Sequence, residues 1–134
     1  MAQNKTKYMR KLVLDHFLGR VNSPFPSERW LALFSDDPTD EGRLTDELTQ
    51  AGYARVPIVS RLSDAILASG LISNSAQIAF AAAAEDWPEV THAGIMDAAT
   101  AGNMLYFGPA VTSRVVENGD QFKIQPGQLT IIER

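Results

Sequence analysis

His92 and Asp97 stand five residues apart in the stretch HAGIMDAATAGNMLYFGPA. A histidine moves protons near neutral pH and a carboxylate can orient it, so the pair invites a Ser-His-Asp reading. The apolar residues around His92 argue for a strand, however. Side chains alternate along a strand, so positions five apart face opposite ways and these two cannot easily pair within it. Asp97 is better placed to open a turn, where an aspartate bonds its own downstream backbone.

Other chemistry-bearing residues meet similar limits. His16 is the only other histidine, and neither an H-x-H nor an H-x-x-x-H spacing exists, so no metal site is expected. Asp36, Asp37, Asp40, Glu41, Asp46 and Glu47 fall within twelve residues. Calcium takes such oxygen ligands, but the spacing is not that of the twelve-residue calcium loop, and a solvated acidic loop is expected. Glu85 and Asp86 beside Trp87 suggest a glycosidase carboxylate near an aromatic platform. That chemistry needs two carboxylates across a cleft, and so small a chain has little room for one. Trp87 before Pro88 reads more simply as a packed loop anchor. No glycine-rich phosphate loop and no G-x-S-x-G serine is present, and there is no cysteine. Disulfides, thiol catalysis and zinc-thiolate sites are thereby excluded. We expect no catalytic residue, no cofactor and no metal.

The elements that must carry these residues follow from pattern and punctuation. NKTKYMRKLVLDHFLG has Met9, Leu12, Val13, His16 and Phe17 at helical spacing, with Asn4 or Thr6 as cap and Gly19 at the end. Lys5, Lys7, Arg10 and Lys11 would be solvated. VNSPFPSE, with two prolines, is an extended connector. RWLALFS is apolar almost throughout and predicts a strand inside a packed sheet. YARVPIVS alternates, with Tyr53, Arg55, Pro57 and Val59 on one face, and Pro57 marks an edge or a bulge. SDAILASGLISNSAQIAFAAA predicts strands on either side of Gly70. EVTHAGIMDA and MLYFGPAVTSRVVE are strands, the second bent at Gly108-Pro109. Asn118-Gly119 predicts a type I′ hairpin. DQFKI and QLTIIER finish the chain.

Short strands at spacings of about ten residues, broken by turns, give the fold class. It is mainly β, a β-sandwich for which a jelly roll is one form, with one N-terminal amphipathic helix. We expect a single domain over 1–134, with 1–20 a helix or arm and 28–134 the sandwich. The net charge of −4 has no Lys/Arg cluster to offset it, so direct nucleic-acid binding is not expected, and no apolar run approaches the length needed to span a bilayer.

Taken as a series, the motifs resemble the small tailed-bacteriophage virion proteins labelled tail fibre proteins. The resemblance rests on Leu33, Asp37 and Pro38, then Gly52, Tyr53 and Arg55, then Asn74, Ile78 and Phe80. It continues through Asp86, Trp87, Val90, Thr91 and His92, then Asp97, Ala98, Gly102, Asn103, Leu105 and Tyr106. It closes on Val116, Gly119, Asp120 and Ile124. One departure is Pro88, where the family usually has glycine. The resemblance implies a non-enzymatic virion component, made in the bacterial host cytoplasm. It would self-assemble as a trimer or dimer and dock on tail or major capsid protein. Related small β-domains serve as capsid decoration (cement) proteins, and that role is the alternative; a carbohydrate-binding module stacking a sugar on Trp87 or Tyr106 is a further one. In this setting Asp97 and Asn103 supply turn bonds, Gly102 supplies free φ, and Asn118 and Gly119 make the last turn. His92 is expected to satisfy a backbone group or to lie in a subunit contact. Met9, Leu12, Val13 and Phe17 on the helix, with Trp30, Trp87, Tyr106 and Phe107, are the interface candidates, since aromatic residues are enriched at interfaces.

Overall fold

The computed structural model describes residues 1–19 and 27–133. The connector expected over 21–28 lies, except for its last two residues, outside the described residues. The chain runs β1 (Ala2–Lys5), α1 (Lys7–Phe17), β2 (Trp30–Phe34) and β3 (Val56–Pro57), then a 3-10 turn over Val59–Arg61. It continues through β4 (Leu71–Ser73), β5 (Ile78–Ala79), β6 (Val90–Met96), β7 (Met104–Arg114), β8 (Lys123–Ile124) and β9 (Thr130–Ile132). The architecture is mainly β with one helix near the N-terminus, as the sequence predicts. The layers are unequal. A curled seven-stranded sheet in the order β3-β2-β6-β7-β1-β9-β4 is backed by the two-stranded ribbon β5-β8.

The first residues correct the sequence reading. They are not an arm. β1 lies inside the large sheet, antiparallel to β7 and parallel to β9. It thereby joins β9-β4 to the rest of the sheet. Gly108 allows this. An ideal Cβ there would stand 1.8 Å from the Ala2 carbonyl oxygen. Lys5 is accordingly not solvated. It is part of the sheet and ion-paired with Glu133. The β6-β7 pairing is irregular between Val90 and His92 and again between Ile95 and Met96. β7 itself runs unbroken through Gly108-Pro109.

β2 explains its own composition. Leu31 and Leu33 face the main core, with Ala93, Ile95, Leu105 and Ile131 from neighbouring strands. Ile78, Phe80, Trp87, Phe122 and Ile124 close that core from the other layer. Ala32 and Phe34 face the opposite side with Met96 and Met104, where Leu44 of the 36–48 loop, Trp30 and Phe107 pack on them. A strand buried on both faces reads as a continuous apolar run.

Three further expectations are corrected. YARVPIVS pairs only at Val56–Pro57 and is not a full strand, while Pro57 does lie on the edge, beside β2, as the sequence predicts for a residue with no N–H to donate. Between Ser63 and Gly70 there is no strand. Ile66 bridges Leu71 across a tight turn, and regular pairing begins at β4. Asn118-Gly119 does not form a type I′ hairpin. The non-glycine residues with positive φ, among those described, are Thr39 and Ala101. Only Gly119 of the pair is left-handed, at φ +92°, and Asp120 N–H donates to the Glu117 carbonyl at 2.9 Å. That is the pattern of a type II turn. Its flanks do not pair with each other. Instead the turn lies on the 80s segment: Gly119 N–H donates to Ala83 O at 2.7 Å and Asn118 N–H to Asp86 Oδ1 at 2.8 Å.

The two glycines predict opposite sensitivities. Gly108→Ala puts a methyl into the β1 backbone and should cost about 3 kcal/mol, the upper end of overpacking. Gly119→Ala meets open space and bears only the left-handed backbone, about 1 kcal/mol. Urea midpoints of the two variants measure the difference.

Candidate functional site

The densest cluster of chemically able side chains is Glu47, Tyr53 and Arg55, which sequence reasoning left apart. Glu47 ends the acidic loop and bridges Phe34 of β2. Arg55 immediately precedes β3 and is buried. Its Nε and Nη2 each donate to a Glu47 carboxylate oxygen at 2.7 Å, a two-pronged pair. Its Nη1 donates to Ala98 O at 2.8 Å and Ala101 O at 2.7 Å. Tyr53 donates its hydroxyl to Glu47 Oε2 at 2.7 Å and accepts the Leu33 N–H at 3.1 Å. The signal was present in the sequence as an arginine inside an apolar alternation. Its partner eight residues earlier was hidden among surface carboxylates. This arrangement holds three segments together, and the Glu47 carboxylate is engaged by Arg55 and Tyr53.

Arg55 thereby grips the β6-β7 turn. Within that turn Asp97 Oδ1 accepts the Asn103 N–H at 2.7 Å, and Oδ2 accepts Asn103 Nδ2 at 3.2 Å. Gly102 has φ +74°, and a Cβ there would stand 2.4 Å from Asp97 Oδ1. His92 is half-buried, and its Nδ1 lies 2.9 Å from the Thr91 hydroxyl, a side chain rather than a backbone group. No described hydrogen bond links His92 to Asp97, so the strand parity argument and the geometry agree.

The structure brings the interface candidates to different places. Trp87 is 2% exposed, so it is not a surface platform. It donates Nε1–H to Ala51 O at 3.0 Å and packs edge-on against Tyr53. Tyr106 is half-buried against the main core, while Trp30 and Phe107 pack on the smaller cluster. On α1, Met9 packs against the main core, Leu12 and Val13 are half-buried, and Phe17 is 66% exposed. Thr6 starts the helix. Its hydroxyl accepts the Met9 N–H at 3.2 Å and donates to Met104 O at 2.6 Å. The helix therefore rests on its own sheet at one end. Tyr8, Leu14 and Leu18 remain exposed beside Phe17.

The acidic loop is only partly solvated. Lys7 pairs with Glu41 and Arg10 with Asp40, so the helix start is tied to the loop. Among the described residues no group of acidic or histidine side chains is arranged to hold a metal ion. Asn74, one of the residues that carry the resemblance, is a buried tie. Its Nδ2 donates to Ala76 O and Gln125 O, and its Oδ1 accepts the Leu129 N–H, all at 2.9 Å.

Two phenols are displaced from their ordinary range. Burial first, then the Glu47 carboxylate, pushes Tyr53 far up. Burial first, then Glu133, pushes Tyr106 up to about 12. Unfolded phenols ionise near 10, so above that pH the unfolded chain sheds protons that the folded chain keeps. Stability should be intact below about pH 10 and fall as pH rises toward 12. Denaturation midpoints across that range, with Tyr53→Phe showing a shallower fall, check the sign.

A search of the curated proteins finds no match. The family model described as Podophage GP4 fiber I protein gp80 matches residues 4–132, nearly the whole chain. The match runs from within β1 to the end of β9 and covers every motif of the resemblance. The chain belongs to this phage fibre protein family.

Proposed function

We propose that the chain is a non-enzymatic building unit of a podophage tail fibre. It works by assembly: copies associate as a trimer or dimer and dock on the tail. It is made in the bacterial host cytoplasm, incorporated into the virion, and contacts neither nucleic acid nor membrane directly. The family match supports the fibre role. The observation that carries the assembly role is α1 and its C-cap, where Leu14 and Leu18 stay 57% and 80% exposed although the helix is anchored on the sheet. A helix of this kind hides its remaining apolar surface only against another molecule. The charged groups that the fold gathers support the absence of chemistry, since Glu47, Tyr53 and Arg55 are engaged by one another and by backbone. Neither the capsid decoration role nor a sugar platform gains support from the fold; the platform loses Trp87 to the core.

Sedimentation of the pure protein should show a defined oligomer, and the protein should co-sediment with isolated tails. Leu14→Lys with Leu18→Lys should lower both by at least tenfold with the melting temperature nearly unchanged, since neither side chain is buried. A wild-type protein that stays monomeric and binds neither tails nor capsids would overturn the reading.

A further inference from the structure

The corner where β4 meets the 3-10 turn carries a projection and a hollow side by side. The projection is the segment 64–70. Ile66 N–H donates to Leu71 O and Gly70 N–H to Ile66 O, both at 2.8 Å. Glu133 N–H donates to Gly70 O at 2.8 Å and braces the turn from the end of β9. At the tip Leu67 is fully exposed, and Ile66 beside it is exposed as well. Val59 of the 3-10 turn adds a third exposed apolar side chain. Apolar side chains scattered singly over a surface need no explanation, but a group of them on a braced turn marks a contact.

The hollow, of about 260 Å³, opens at the foot of this projection. Both of its stems line it: Leu62 where the chain enters the turn, and Ile72 of β4 where it leaves. Ile58, Ile131 and, from α1, Met9 extend the apolar wall. The volume is below the ~300 Å³ at which small-molecule sites begin, and it suits a single side chain. Leu67 does not fill the hollow of its own chain, since it lies wholly in solvent. The charges are divided in the same way. Arg29 is the one charged residue among those lining the hollow. It is in no described ion pair, and its hydrogen bond runs to Ser27 O at 3.5 Å. Asp64 is the one charged residue of the projection, is exposed, and is likewise in no described ion pair.

We propose that this corner binds a second copy of the chain about a two-fold axis. Each copy seats Leu67 in the hollow of the other, and Asp64 of one copy meets Arg29 of the other. A knob and a hole on one surface are self-complementary, and a two-fold axis satisfies both at once. Val59 and Ile66 widen the apolar contact, and the two charge pairs lie at its rim, the usual division of an interface. Those pairs also fix which way round the copies meet. The inference rests on the assembly reading above. It names the partner, and a contact separate from Leu14 and Leu18, neither of which lines the hollow.

The chain has no cysteine, so single introduced thiols report cleanly. Full-length Leu67→Cys and Met9→Cys chains are mixed and oxidised. Each carries one thiol, so a disulfide joining the two positions can form only between copies. The expected result is that joined peptide by mass spectrometry, from a protein whose unaltered form sediments as a dimer. Leu67→Asp should weaken self-association by about tenfold with an unchanged circular dichroism spectrum, since the side chain is fully exposed in its own chain. Arg29→Asp and Asp64→Arg should each weaken it, and the two combined should restore it. Residues that form no ion pair within one chain can give that rescue only across copies. A dimer that is indifferent to Leu67→Asp, or that yields no such joined peptide, would overturn the proposal and leave the assembly reading standing. So would a double charge reversal no better than either single one, or a monomer that still binds tails. Loss of tail binding alone in Leu67→Asp would assign the corner to a tail protein and overturn it too.

Discussion

The buried ion pair between Arg55 and Glu47 is the interaction on which the frame depends. Two charges removed from water are tolerable only when every remaining lone pair and proton finds a partner. Here both arms of the guanidinium meet the carboxylate, and its other nitrogen meets two carbonyls of the β6-β7 turn. Tyr53 supplies the last bond to the carboxylate and passes the connection to the Leu33 amide of β2. One cluster thus fixes the end of the acidic loop, the approach to β3 and the turn between the two longest paired strands. None of these three segments has enough regular pairing to hold its place alone.

The same logic runs through the rest of the molecule. Long irregular segments carry backbone groups that water cannot reach, and those groups must be met by side chains. Asn74 does this for the approach to β9, Trp87 for the Ala51 carbonyl, and Asp86 for the Asn118 amide. Such ties explain why so few hydrogen bonds are needed from the short strands β3, β5 and β8. They also explain why the residues that bear the family resemblance are largely buried ties and turns. A fibre unit needs a frame that does not yield, with its contacts made by side chains that the frame leaves outside.

What could be read from the sequence was governed by range. The helix, β2, β6 and β7 were legible because their patterns are local: helical spacing, an apolar run, and apolar stretches flanking a turn. The Asp97–Asn103 turn was legible because its bonds close over six residues. β1 was not, because a four-residue segment with three polar side chains becomes a central strand only through pairing with partners a hundred residues away, and Gly108 marks that approach only once the pairing is known. The Asn118-Gly119 dipeptide gave the wrong turn type because its neighbours bond to the 80s segment and not to each other. Trp87 was ambiguous in sequence between platform and anchor, and burial decided for the anchor. Glu47 could not be told from the surface carboxylates around it without its partner's position.

The most direct test of this account is a double-mutant cycle on the ion pair, with Arg55→Met, Glu47→Leu and the two combined, read as unfolding free energies. The account predicts a loss of about 3–5 kcal/mol for Glu47→Leu, which strands the buried guanidinium, a smaller loss for Arg55→Met, since Glu47 is only half-buried, and a double variant far more stable than the sum implies. Single losses below about 1 kcal/mol that simply add would contradict it. They would mean that the frame stands without this pair.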